Sequence, residues 1–297
     1  MIELIFLGTS DMFPTPKRNH PSIYLRYEGD YMLFDCGEGT QRQMKCAKLK
    51  PARLDYIFIT HWHGDHSLGL PGIFQSLSGH GKRGKLRIFG PEGSEERIEH
   101  VLKAFSWHKT FKIDVREIDG GLVLRKRDWE VRAMEVKHTS PCLAYSFKER
   151  DRRKINVAYL SKFGLKQHPI LGKLQRGETI VWKGRKITPE EGTYIKKGKK
   201  VTYVTDTVFF DELVDFVRDS DVLICEATFL NKDKELAIER GHMTAAQAAF
   251  LAKEGGVKDL YIFHFSQRYK DEKVLVKEAK KIFPNTHEAK DLMRIAP

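Results

Sequence analysis

Thr60-His61-Trp62-His63-Gly64-Asp65-His66-Ser67-Leu68-Gly69-Leu70-Pro71-Gly72 is the stretch that decides how this chain is read. Three imidazoles and a carboxylate fall within six residues, directly after an apolar run over 54–59. His61 and His63 stand two residues apart at a strand end, so they point to the same side and can share one ion. Asp65 and His66 follow on a turn opened by Gly64 and can reach a second ion. Nitrogen and oxygen ligands without thiolate favour zinc, while ligand type alone also admits manganese, iron or cobalt. A chance cluster of surface histidines would not need this spacing at this place.

Four residues cannot close two metal sites, so further ligands are expected at later strand ends. His138 follows the run 129–136, Asp206 follows 201–205, and His264 follows 260–263. Each ends a hydrophobic strand, where a rim side chain can face a cleft. Taken alone, such residues more often cap a strand or bond within the core; the histidine motif makes ligand candidates of them.

Working outward, short β-rich runs recur and end at turn signals: 2–7, 22–27, 31–34, 54–60, 86–89, 111–118, 122–125, 129–136, 143–147, 201–205, 222–225 and 260–263. Helical patterns cover 39–47, 69–77, 94–104, 210–216, 244–253 and 271–282. This order predicts an α/β fold of two packed sheets covered by helices. With 41% hydrophobic residues in 297, the chain can bury a substantial core. No window approaches 18 uninterrupted apolar residues, which excludes a transmembrane helix, and the N-terminus runs into a first strand rather than a signal peptide. Cys36, Cys46, Cys142 and Cys225 form no CxxC pair, which fits a reducing cytoplasm.

The chain carries 52 Lys+Arg against 40 Asp+Glu, a formal charge of +12. The surplus is concentrated: residues 148–200 hold 16 basic and five acidic residues, leaving 36 and 35 for the rest. Apolar residues keep no clean period around 156–177, and Lys183-Gly184-Arg185 and residues 196–200 read as turns of an exposed hairpin. A loop of this size is uncommon as a plain connector. It reads as a projecting basic arm inserted into the core, and its charge points to a polyanionic partner.

The chain resembles the metallo-β-lactamase superfamily and, within it, the ribonuclease Z family. The resemblance rests on Gly8-Thr9-Ser10, Leu33-Phe34-Asp35-Cys36-Gly37-Glu38-Gly39-Thr40-Gln41, the histidine motif, Asp206-Thr207, Glu226-Ala227-Thr228-Phe229, His242-Met243-Thr244 and His264-Phe265-Ser266. It implies an αβ/βα four-layer sandwich, a single domain over 1–297 with a tRNA-binding arm at 148–200. It also implies a cytoplasmic homodimer that cleaves the 3′ trailer from precursor tRNA and does not bind membranes. Two Zn2+ per subunit are implied: one held by His61, His63 and His138, the other by Asp65, His66 and His264, with Asp206 bridging and Asp35 steadying the ligand loop. His242 and Glu226 would form a pair beside the metals. Cys225 and Met243 stand where the family usually has His and Ser.

Phosphodiester hydrolysis needs a nucleophile, charge neutralisation at phosphorus and a proton for the departing oxygen. Two metals supply the first two, Asp65 can orient or deprotonate the water, and His242 oriented by Glu226 can protonate the leaving oxygen. His20, His80, His100, His108, His168 and His287 show no ligand spacing and are expected at the surface. At this point three readings stay open beside the endoribonuclease: another hydrolase of the same fold, a nuclease with broad RNA or DNA substrates, and a zinc-stabilised RNA-binding protein without catalysis.

Overall fold

The structure, a computed structural model, describes residues 1–297. The chain divides into two compact units, one of Met1–Arg125, Val131–Phe147 and Lys200–Pro297, the other of Lys126–Glu130 and Lys148–Lys199.

The first unit is built on two seven-stranded sheets. One runs in the order Arg294–Ile295, Ile2–Gly8, Ser22–Tyr27, Asp30–Phe34, Tyr56–Phe58, Lys85–Gly90, Lys112–Glu117. The other runs Thr286–Glu288, Asp259–Phe263, Val222–Glu226, Lys200–Val204, Cys142–Glu149, Trp129–Val136, Gly120–Arg125. In each sheet, hairpin-linked antiparallel strands give way to parallel ones, Met32 pairing with Tyr56 and Val222 with Asp259. Val222–Glu226 is buried along its whole length, which is why it is apolar without alternation until its last residue.

Aromatic rings interleave between the sheets: Phe34 lies 6.0 Å from Tyr145 and 6.1 Å from Tyr203, Phe58 5.4 Å from Tyr145, and Phe6 5.6 Å from Tyr261. Each tilted pair adds about 1 kcal/mol beyond its buried area. On the outer faces, Leu70, Ile73, Phe74 and Leu77 of helix Leu70–Gly79 pack on the first sheet's core with Ile57 and Ile88. Ala245, Ala248, Ala249 and Leu251 of helix Ala245–Glu254 do the same for the second sheet with Leu223 and Ile262. The result is the four-layer metallo-β-lactamase sandwich.

The run expected as a strand over 54–60 pairs as a strand only at Tyr56–Phe58. Thr60 leaves the ladder because its N–H bonds the Asp35 carboxylate at 2.8 Å, and that departure turns the histidine motif toward the cleft.

The second unit has its own small core of Leu160, Leu165, Leu174, Ile180 and Ile187. Ile180–Trp182 pairs with Arg185–Ile187 through a two-residue turn in which Lys183 and Gly184 have φ of 49° and 79°, as a tight hairpin requires. The second expected turn, 196–200, is not one. Thr193–Lys196 pairs instead with Arg152–Ile155. Gly198 N–H bonds Asp151 and Lys199 N–H bonds Glu149, which holds the segment extended. Tyr159, Phe163 and Trp182 pack on the unit's core, whereas Tyr194 is exposed.

Candidate metal centre and catalytic cleft

Two glycines allow the strand-end loops to meet. A Cβ on Gly37 would stand 2.2 Å from the Asp65 carbonyl oxygen, and one on Gly69 would stand 2.1 Å from the Gly37 oxygen. With hydrogen there, Cys36 N–H bonds the His66 carbonyl at 2.8 Å and Gly69 N–H bonds the Cys36 carbonyl at 2.9 Å. This close approach seats buried Asp35 beneath the histidine motif. Asp35 and His264 both adopt left-handed φ, 57° and 61°, unusual for side-chain-bearing residues and typical of over-determined functional sites.

Seven polar side chains converge at the strand ends. His61 Nε2 lies 3.0 Å from His63 Nδ1, His138 Nε2 lies 3.2 Å from the same atom, and Asp206 Oδ2 is 3.6 Å from His61 Nε2 and 3.8 Å from His138 Nε2. On the other side, His66 Nε2 is 3.3 Å from Asp65 Oδ2 and 3.5 Å from Asp206 Oδ1. His264 Nε2 is 3.5 Å and 3.2 Å from the same two oxygens. Asp206 therefore gives one carboxylate oxygen to each group of donors.

The far nitrogen of four imidazoles is tied down, which fixes the near one. His66 Nδ1–H donates to Asp35 at 2.8 Å and His138 Nδ1–H to the Gly241 carbonyl at 2.9 Å. The Thr60 hydroxyl donates to Asp35, and the Thr228 hydroxyl to Glu226. Those two oxygens are thus left to accept from His61 Nδ1–H at 3.1 Å and His264 Nδ1–H at 3.0 Å. All four rings present an Nε2 lone pair inward, the arrangement that metal-binding histidines need. His66 Nε2 and His264 Nε2 are buried and have no hydrogen-bond partner, as expected of atoms whose partner is a cation.

Charge in the protein alone says the same. Burial disfavours ionised Asp206, yet His264 and His66 hold it well below the usual carboxylate range; Asp65 is likewise held down by His66 against its burial. Burial opposes a charge on His66 and His264, but the carboxylates around them, Asp206 first, push both up. Burial lowers His61 and His138, which stay neutral donors. Two buried carboxylates facing these rings demand positive charge between them, so the residues present fit a metal centre.

Beside the centre, His242 Nδ1 lies 3.1 Å and 3.2 Å from the two oxygens of buried Glu226. Glu226 is itself fixed by the Thr207 N–H at 2.8 Å and the Thr228 hydroxyl at 2.6 Å. Burial works against a charge on His242, but the adjoining carboxylate and its hydrogen bond raise the imidazole to about 9. A capping box between Thr244 and Gln247 starts helix Ala245–Glu254 two residues later and anchors the segment.

The nine residues singled out in the sequence thus converge at one cleft of about 920 Å3: His63, Asp65, His138, Asp206, His242 and His264 line it, with His61, His66 and Glu226 buried behind them. Sequence reasoning missed others. His20, expected at the surface, is buried and lines this cleft, its Nε2–H bonded to the Met12 carbonyl at 3.1 Å and its Nδ1 without a partner. Asp11, Met12 and Phe13 line it too, and nothing in their pattern signals that. Gly241 was also missed: with φ of 74°, a Cβ there would stand 2.6 Å from His138 Nδ1.

Comparison with known proteins adds the following. Residues 2–149 match the family described as Anti-Pycsar protein Apyc1, and residues 182–265 match the beta-lactamase superfamily domain. The chain is 41% identical to the ribonuclease Z of Methanothermobacter thermautotrophicus over 99% of its own length and 96% of the relative's. Among solved structures it is similar to the short form of human tRNase Z, with a TM-score of 0.72 and 27% identity, covering 99% of this chain and 98% of that one. It is also similar in fold to the metallo-beta-lactamase fold protein YhfI from Bacillus subtilis, with a TM-score of 0.71 at 19% identity, covering 99% and 98%.

Proposed function

The chain belongs to the ribonuclease Z family, and from that premise we propose that the seven strand-end side chains hold two Zn2+ ions for tRNA 3′ processing. The enzyme is a metal-dependent endoribonuclease that acts on precursor tRNA. One ion would be held by His61, His63 and His138, the other by Asp65, His66 and His264, with Asp206 between them. The observation that carries this reading is the split of the Asp206 carboxylate, one oxygen beside each donor group. Bound there, the ions supply a water of lowered pKa and polarise the phosphoryl oxygens.

The chain's own groups do the rest. Asp65, at the floor of the cleft, orients the attacking water and accepts its proton. Glu226 occupies His242 Nδ1, which keeps the ring charged and leaves Nε2 to protonate the departing 3′ oxygen. The phosphate stays with the trailer, so the products are a tRNA with a 3′-hydroxyl and a trailer with a 5′-phosphate. Asp35, Thr60, Thr228 and the Gly241 carbonyl orient the ligand rings.

The basic unit supplies affinity. Its Lys162, Lys166, Lys173, Lys183, Arg185 and Lys186 are exposed, and such side chains bind RNA phosphates with release of counterions, largely without regard to sequence. Two copies of the chain would act together, the arm of one holding the tRNA for the cleft of the other; light scattering that gives about twice 34.4 kDa tests this. No helix is long and apolar enough to cross a membrane, and the four cysteines are free, in keeping with a cytoplasmic place of action.

The test is metal content with product mapping. The reading expects two zinc ions per subunit and cleavage at the trailer junction; Asp206→Asn is expected to lose both. A variant that keeps both ions would remove Asp206 from the bridging position.

A further inference from the structure

The layer between the two sheets is built of rings, and Phe34, Phe58, Phe263, Tyr145 and Tyr203 are all buried there. A buried hydroxyl is unfavourable unless it is hydrogen-bonded, so a phenol in this layer needs a reason that a phenyl ring does not. Tyr203 lies in the second sheet, on strand Lys200–Val204, three residues before Asp206. Its ring stands 6.1 Å from Phe34 and 5.5 Å from Phe263, the residues directly before Asp35 and His264. Its hydroxyl crosses to the first sheet and donates to Asp35 Oδ2 at 2.9 Å.

What this bond adds follows from the other donors on Asp35. Oδ1 accepts from the Thr60 N–H at 2.8 Å, and Oδ2 from His66 Nδ1–H at 2.8 Å. The Thr60 hydroxyl stands 2.9 Å from both oxygens and so does not decide how the carboxylate is turned. Without the phenol, the one donor committed to Oδ2 would be His66, the very ring that Asp35 has to orient. Tyr203 gives that oxygen an anchor that is not itself a candidate ligand.

We propose that Tyr203 is a positioning residue for the metal centre, its hydroxyl fixing Asp35, and through Asp35 the His66 ring, in register with Asp206. The proposal rests on the reading of the seven strand-end side chains as a metal centre. His61, His63, Asp65 and His66 come from the first sheet, and His138, Asp206 and His264 from the second. Packed rings set the distance between the sheets, but a hydrogen bond also sets direction. The strand that delivers Asp206 therefore aligns the carboxylate behind the opposite ligands as well.

The test removes one oxygen at a time. Tyr203→Phe keeps the ring and leaves Asp35 its donors from Thr60 and His66. Tyr145→Phe is the matched control: Tyr145 is equally buried, packs on Phe34 and Phe58, and donates to the Ile59 carbonyl at 2.8 Å, an oxygen that no ligand ring bonds. Both metal-free variants are expected to lose Tm alike. Tyr203→Phe is expected to bind zinc about tenfold more weakly in chelator competition, as for other lost ring-orienting contacts. Its cobalt-loaded form is expected to show shifted visible absorption bands. Tyr145→Phe is expected to keep the wild-type zinc affinity and cobalt spectrum. Wild-type affinity with an unchanged spectrum in Tyr203→Phe, or equal losses in both variants, would overturn the positioning role. So would a Tyr203→Phe chain that does not fold, since the hydroxyl would then hold the sandwich and not the ligands. A wild type that takes up no zinc would instead overturn the reading of the seven side chains.

Discussion

In the cleft, Asp35, Asp206, Glu226, His61, His66 and His264 are all buried, and nearly every polar atom is bonded to another or faces the place of a cation. In the basic unit, the lysines at 162, 166, 173, 183 and 186 stand in solvent, and the apolar core is a cluster of five aliphatics. The first region spends its sequence on position. The second spends it on charge. A ligand that is misplaced or removed costs chemistry, whereas one lost surface lysine costs a share of a distributed attraction. The two regions should therefore fail in different ways, and the variants below are chosen to separate them.

The largest effect is expected from Asp65→Ala and from His242→Ala. Each should lower trailer cleavage by about a thousandfold or more, within the range for lost metal ligation or acid–base groups. The affinity for tRNA, measured by filter binding, should change little. If binding falls as steeply as cleavage, the division between position and charge is wrong.

Next comes neutralisation of the exposed residues Lys162, Lys166, Lys173, Lys186 and Lys196 to Gln. If each meets a phosphate, the slope of log affinity against log salt should flatten by roughly four, with a loss in affinity of tenfold or more. Hydrolysis of a small phosphodiester should be unchanged. An unchanged salt slope would take the RNA away from this unit.

Gly241→Ala reaches the cleft without replacing any of the seven converging side chains. The added methyl meets His138 Nδ1 and strains a left-handed residue, so metal affinity should fall by about tenfold to a hundredfold, as for other losses of ring-orienting contacts. Titration with a chelator reads this directly, and a variant with wild-type affinity would show that the Gly241 contact orients nothing. The smallest effect on the reaction belongs to Leu174→Ala. It should destabilise the basic unit by about 3 kcal/mol, visible as faster amide exchange there, weaken tRNA binding modestly and leave small-substrate hydrolysis intact. Slower chemistry in this variant would couple the two regions.

The same contrast governs what could be read from the chain. The central strands are legible because buried parallel strands are continuous apolar runs, and the candidate ligands because each stands where a strand ends: His138 after Trp129–Val136, Asp206 after Lys200–Val204, His264 after Asp259–Phe263. The pairing of His242 with Glu226 is not legible from spacing, since 16 residues separate them, and came from the family resemblance. His20 escaped because its burial follows from the close approach of Gly37, a tertiary fact with no local signal. The short elements of the basic unit escaped because helices of four or five residues, such as Val157–Ser161 and Leu171–Gln175, are too brief to show a period. Its net charge was legible, and its hairpin at Lys183-Gly184, but not the strand pairing that closes it.

The central claim is that a two-metal cleft cuts RNA delivered to it as folded tRNA. It is tested most directly by incubating the protein with an end-labelled precursor tRNA, with and without chelator, and mapping the products. The account predicts one cut at the trailer junction, a 3′-hydroxyl on the tRNA and a 5′-phosphate on the trailer, loss of cleavage on chelation and recovery with added zinc. Cleavage that survives complete removal of metal, or cuts spread through unstructured RNA at the same rate, would contradict it.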